Sequence, residues 1–193
     1  MTKTFITALL LFVTLLAPAA RAVEVGDIYF SDKTFASSMQ SGKKAIGLVY
    51  WVSANKDYGY IMSLEEPGEG TMNPYNANIY CLEYFTEGTK AGDWKLPQRI
   101  EMIRMGYEKN NGQVTDKFTI VNKKLRSVTK ADGKAATQLT GTYYITNSYT
   151  PYAFAPNNGT YSGGGGWLAG NANKYRVRCI TCLLYTSPSP RDT

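Results

Sequence analysis

Lys174-Tyr175-Arg176-Val177-Arg178-Cys179-Ile180 alternates polar and apolar residues and carries a cysteine near its end. Period-two alternation with Val, Tyr and Ile predicts a strand, here the last one, with Cys179 turned inward. A partner for that cysteine stands far upstream. Asn73-Pro74 reads as a helix start, with Asn as the cap and Pro at the first helical position. Ala77, Tyr80, Cys81 and Tyr84 then recur at i, i+3, i+4 and i+7, so they share one helix face and Cys81 lies on its buried side. One cysteine is thus expected on an inward strand and the other on an inward helix face.

Whether the two cysteines are oxidised depends on the compartment, and the N-terminus addresses that. Met1-Thr2-Lys3 carries one positive charge, Phe5 to Leu16 is an apolar run, and Ala20-Arg21-Ala22 is an A-x-A site. This is the pattern of a secretory signal peptide, residues 1–22, cleaved before Val23. The apolar run is too short to span a bilayer as a helix, and the mature chain holds no run of membrane length. The expected location is therefore periplasmic, cell-surface or secreted. At the other end, Cys182 to Asp192 reads residue for residue as a translated transposase-type sequencing adapter, so residues 182–193 are set aside as a non-native tail. The expected folded domain is 23–181.

Composition then bounds the chemistry. Removing Lys3, Arg21 and Arg191 from the 21 basic residues, and Asp192 from the 15 acidic ones, leaves eighteen against fourteen, a net charge of +4. That mild, dispersed charge argues against nucleic acid, which wants a clustered basic stripe. The densest basic run, Lys123-Lys124-x-Arg126, reads as the solvated face of a helix. Of the three cysteines, Cys81 and Cys179 remain, and an even pair in an exported chain reads as a disulfide. No His and no C-x-x-C in the native part make a metal site poor. Without His, the usual general base of serine and cysteine hydrolases is missing, so an enzyme here would have to rely on carboxylates, Lys or Tyr, and no catalytic residue or cofactor is assigned.

Between the ends the pattern alternates in kind. Val25 to Phe30 predicts a short strand. Ala45 to Val52 (AIGLVYWV) predicts a buried strand, paired through an Asn55-Lys56-Asp57 turn with Tyr58 to Leu64. Trp94-Lys95-Leu96-Pro97 leads into a second helix with Ile100, Ile103 and Tyr107 on one face, stopped by Asn110-Asn111-Gly112. Thr115-Asp116 caps a third, with Phe118, Val121, Leu125 and Val128 at helical spacing. Thr142 to Asn147 and Tyr152 to Ala155 read as strands, and Gly163 to Gly166 as a flexible turn.

Four features stand in order: Tyr80-Cys81 on a helix, Trp94-x-Leu96-Pro97 before the next helix, the Tyr143 to Ser148 stretch, and Tyr175-Arg176-Val177-Arg178-Cys179. With Val25-Gly26-Asp27-Ile28-Tyr29-Phe30-Ser31-Asp32 and Ile46-Gly47-Leu48-Val49, the chain resembles the C-terminal domain of Legionella collagen-like protein, domain of unknown function 1566, in the exported version of gut Bacteroidetes. The resemblance covers nearly all of residues 25–180. It departs at Tyr144-Ile145-Thr146-Asn147, where the family often has Trp-Ser-Ser-Thr, and this weakens transfer of site detail. The family implies an α+β, C-type-lectin-like fold, related in shape to formylglycine-generating and sulfatase-modifying domains. Small antiparallel sheets, two to three helices and long loops make it up. The resemblance also pairs Cys81 with Cys179 and implies adhesion or recognition of glycans or other cell-surface macromolecules, without catalysis.

Residues 135–173 contain no Asp, Glu, Lys or Arg and are rich in Tyr, Asn, Thr, Ser and Gly. Tyr gives rigid contact area at low entropic cost, and Ser, Gly and Asn give adaptable hydrogen bonds, the mixture of antibody loops. Tyr143, Tyr144, Tyr149, Tyr152, Tyr161 and Trp167 are suited to stacking, and Asn147, Asn157, Asn158 and Asn171 to hydroxyls. Strands bury alternate residues, so the expected ligand-binding set is the loop members Tyr149, Tyr152, Asn157, Asn158, Tyr161 and Trp167. The lack of acids disfavours a Ca²⁺ site there. Two other roles fit the same stretch. One is the variable display protein of a diversity-generating retroelement, since Trp167 is the only residue of 140–173 that adenine mutagenesis of AAY codons does not produce. The other is a fimbrial or structural surface subunit.

Overall fold

The structure is a computed structural model; it describes residues 22–68, 71–110, 113–148, 152–157, 160–163 and 175–184. Three helices accompany two small five-stranded sheets, mostly antiparallel, and a separate two-stranded hairpin. The fold class is α+β.

The first sheet is built around the apolar run. β1 (Ile28–Phe30), β2 (Phe35–Ala36), β3 (Ala45–Val52), β4 (Tyr58–Ser63) and β12 (Ile180–Leu184) stand in the order β12-β4-β3-β1-β2, all antiparallel. β3 is central and covered on both faces, which explains why its apolar residues run on without alternation. Leu48 and Tyr50 join one core cluster, and Val49 joins the other. Gly47 lies on the Val49 face, where a Cβ would come within 2.4 Å of Ile61 and 3.4 Å of the Trp94 ring. Its bare backbone admits the fully buried indole of Trp94, whose Nε1–H donates to Thr89 Oγ1 at 3.2 Å.

The helices begin where their caps dictate. α1 (Pro74–Glu83) is capped by Asn73, whose Oδ1 accepts from the Asn76 N–H at 2.8 Å. Ala77, Cys81 and Tyr84 are buried as expected, and Cys81 is bonded to Cys179 with Cα atoms 5.3 Å apart across 98 residues of chain. In the chain-entropy picture a loop of that length contributes about 4–5 kcal/mol. α3 (Lys117–Leu125) is capped by Asp116 and buries Val121 and Leu125, with Val128 buried just beyond it. Lys123 and Arg126 are solvated, whereas Lys124 is half-buried and its ammonium donates to the Ser37 carbonyl.

The second helix departs from expectation. α2 (Arg99–Met105) is shorter, and its buried face is Glu101, Met102 and Met105. Ile100 is half exposed, Ile103 only partly buried, and Tyr107 already belongs to a strand. The cause is Asn111-Gly112. β6 (Tyr107–Asn110) and β7 (Gln113–Asp116) pair antiparallel across it, Asn110 opposite Gln113. Asn-Gly between two strands is a strong hairpin signal, and here it joins strands rather than stopping a helix.

The second sheet contains β5 (Thr71–Met72), β8 (Tyr144–Ile145), β9 (Tyr152–Ala155), β10 (Thr160–Gly163) and β11 (Tyr175–Arg176), in the order β10-β9-β8-β11-β5. Only the β8–β11 pair is parallel. The alternating stretch 174–180 is therefore not one strand. Tyr175-Arg176 pairs in the second sheet, Val177 to Cys179 cross over, and Ile180 opens the edge strand of the first. β12 continues through Cys182, Leu183 and Leu184 opposite Tyr60, Gly59 and Tyr58, because those residues meet an open edge of β4.

Candidate functional site

Of the expected ligand-binding set, Tyr149, Asn158 and Trp167 lie outside the described residues, as does Asn171. The others fall on β9, on the edge strand β10 and in the turn after β9. Tyr152 opens β9 opposite Gly163, and Tyr161 stands on β10 opposite Phe154. Asn157 is exposed in the turn after β9, its amide nitrogen 2.7 Å from where a Cβ on Gly141 would sit. Two residues suited by composition to stacking separate clearly: Tyr143 is exposed, and Tyr144 is fully buried. Gly163, expected in a turn, belongs to β10.

The burial of Tyr144 belongs to a charged clamp under the sheet. Glu66, almost fully buried, accepts from the Tyr144 hydroxyl at 2.7 Å, from Arg178 Nη2 at 2.7 Å and from Arg176 Nη1 at 2.6 Å. Arg178 is fully buried, and its guanidinium also donates to the carbonyls of Ser63 and Thr137, each at 2.9 Å. The Tyr144 oxygen in turn accepts from the Thr140 N–H at 3.0 Å. Burial, more than any neighbour, raises the Tyr144 pKa, so the phenol stays a donor to the carboxylate. Paired charges of this kind are tolerated in an interior only when most of their hydrogen-bonding groups are matched. The clamp ties β4, β8 and β11 together beneath the charge-free segment.

A groove of about 570 Å³ opens beside that segment. Gln98, Arg99, Ile100 and Ile103 of the α2 region form one wall, and Asn147 and Ser148 the other. The two walls are joined by the Asn147 N–H donating to the Pro97 carbonyl at 2.7 Å. The start of α2 is fixed by Glu101, whose carboxylate accepts from the Gln98 N–H at 2.7 Å and from the Lys95 ammonium at 2.7 Å. At the far end of α2, Gly106 makes a close approach: a Cβ there would fall 2.3 Å from the Pro156 carbonyl oxygen. The site thus combines an exposed isoleucine, a guanidinium, two amides and a hydroxyl. Among the described residues no group of three or more His, Cys, Asp or Glu stands together to hold a metal ion.

The α2 wall was not foreseen. Its signal in the sequence is Ile100, an isoleucine next to Glu101, the acid that caps the helix and turns inward. A row of aromatics on the first sheet lies in segments whose composition predicts only strand. Trp51 and Tyr60 stack at 5.3 Å between centroids, Tyr58 joins them at the surface, and the Arg104 guanidinium lies 3.9 Å from the Trp51 ring centre. A register shift in β3 between Val49 and Trp51 produces the row, since it interrupts the alternation of faces.

Fold and site together define a disulfide-bridged α+β domain with an uncharged segment and a polar groove on the rim of its second sheet. No family model, no curated protein and no solved structure matches the chain.

Proposed function

We propose that the protein is an exported, non-catalytic recognition or adhesion domain that binds a glycan or another cell-surface macromolecule through its Tyr/Asn/Gly-rich surface in residues 140–173. The observation that carries this reading is the mounting of the segment. Within an uncharged, aromatic and amide-rich stretch, β8, β9 and β10 lie in a sheet that a buried ion-pair clamp fastens at β8 and β11, beside an open groove. Rigid scaffolds that carry variable polar-aromatic loops are the usual way to present binding surfaces. The disulfide supports export, because such bonds persist in oxidising compartments. No helix among the described residues is long and apolar enough to cross a membrane. The C-type-lectin-like assignment and the kinship to the Legionella collagen-like family belong to the same proposal, on the strength of the four ordered motifs.

The test is a glycan array probed with the mature chain from Val23 onward, with self-association followed in parallel. Saturable binding to a defined set of glycans is the expected result. Absence of glycan binding, with assembly of the protein into fibres, would replace this reading by that of a structural surface subunit.

A further inference from the structure

We infer that the cavity between the first sheet, the end of α1 and the Lys130–Asp132 turn is a second ligand site, one that takes a single neutral sugar ring. None of its lining comes from residues 140–173, so it stands apart from the surface proposed above. The cavity holds about 290 Å³, at the small end of the range for ligand sites, which suits one ring and not a chain. Its floor is apolar, formed by Ala45, Ile46 and Leu64, and suits the C–H face of a pyranose. Its rim is polar and mixed, with Glu65, Tyr84, Thr86, Lys130 and Asp132.

The charges on the rim select the ligand. Lys130 is largely buried and bridges Glu65 at 3.2 Å and Asp132 at 3.3 Å. Lys134, 3.8 Å from Asp132, completes the balance of two carboxylates against two ammoniums, so the rim gives an anion no net attraction. A cation would have to displace Lys130, whose hydrogen bonds to Glu65 and Asp132 outweigh the effect of burial and hold its pKa above the ordinary value. Hydroxyl groups meet neither obstacle. Each can donate to a carboxylate and accept from Lys130, Thr86 or Tyr84. Burial, reinforced by Glu65, pushes the Tyr84 phenol far up, so it remains protonated. The bonds from Lys130 are long for charged pairs, which leaves its N–H groups open to a better-placed acceptor.

The test is amide-resolved NMR of the mature chain titrated with methyl glucoside, methyl galactoside and methyl mannoside, with glucuronate as the anionic control. At least one neutral glycoside should shift the amides of Thr86, Ala131 and Asp132 saturably, with a Kd on the order of a few mM, as expected for so small a ligand. Asp132→Asn and Glu65→Gln should each weaken it by about tenfold or more. Asp132 is exposed, so its variant keeps the fold, and the spectrum itself reports that. Alanine at Tyr152 and Tyr161 should leave these shifts intact. No saturable shift with any of the three glycosides, equal binding of glucuronate, or binding unchanged in both carboxylate variants would overturn the inference.

Discussion

The two sheets of this protein share an apolar core and differ in what else holds them. The first is a hydrocarbon structure. Its central strand β3 is buried on both faces, and Leu48, Val49, Ile61, Met62 and Trp94 are nearly inaccessible to water. The second is shorter-stranded; it buries Tyr144, Ile145, Ala153, Phe154 and Tyr175 in the same two apolar clusters and adds polar fixings to them. β8 and β11 contribute two residues each, and their fixed points are the Glu66 clamp and the crossover that ends in the disulfide. The comparison teaches where sequence freedom lies. A sheet fastened from beneath by a few buried charges and one covalent bond can carry an outer edge whose composition is not dictated by packing. β10, its edge strand, is part of the charge-free segment, as are β8 and β9 inside it.

The contrast can be broken at its strongest point first. Replacing Cys81 and Cys179 by Ala should cost about 4–5 kcal/mol, read as a fall in the urea midpoint. An unchanged midpoint would show that the crossover is held by packing alone. Glu66→Ala comes next. It leaves Arg178 buried without its counter-charge, and breaking such a pair costs about 3–5 kcal/mol. Hydrogen exchange should quicken most at the amides of β8 and β11, and little in β3. Uniform quickening would mean that the two sheets are not mounted separately.

Smaller effects sharpen the picture on the first-sheet side. Asn73→Ala removes the cap of α1 and should cost about 1 kcal/mol in the same denaturation experiment, with the disulfide intact. The smallest concerns Asp32 beside β1. Hydrogen bonds from Lys43 and then Thr34 lower its pKa from 3.8 to about 2. Its contribution is therefore present above pH 3.8 and lost as pH falls through about 2. Carboxyl-carbon NMR should show that low midpoint, and Lys43→Met should move it upward.

The centre of the first sheet was legible in the sequence, and the second in part: Tyr152 to Ala155 is β9 as expected and Thr142 to Asn147 contains β8, whereas β2 and the part of β12 beyond Thr181 were not expected. AIGLVYWV and its turn announce β3 and β4 by residue type alone, and Asn73-Pro74 announces α1. Cys81 and Cys179 could be paired because they are an even pair in a chain that reads as exported. By contrast, the Glu66 clamp joins residues 78, 110 and 112 positions apart, and no local period encodes it. KYRVRCI alternates as one strand, yet the pull of two sheets divides it at Val177. α2 was misread because Asn111-Gly112 suits a helix stop as well as a hairpin, and only β6 and β7 decide between them. Of the site, the charge-free segment was visible as composition. The facing wall from Gln98 to Ile103 was not, because tertiary packing sets which side of a short helix faces water.

On the proposed reading, the uncharged segment binds and the clamp beneath it only holds. A single variant carrying Tyr152→Ala, Tyr161→Ala and Trp167→Ala, measured against the glycan or macromolecule that the wild-type chain selects, tests this most directly. Loss of affinity by about 100-fold or more is expected for removal of several aromatic anchors, with the urea midpoint nearly unchanged. Wild-type affinity in the triple variant would contradict it.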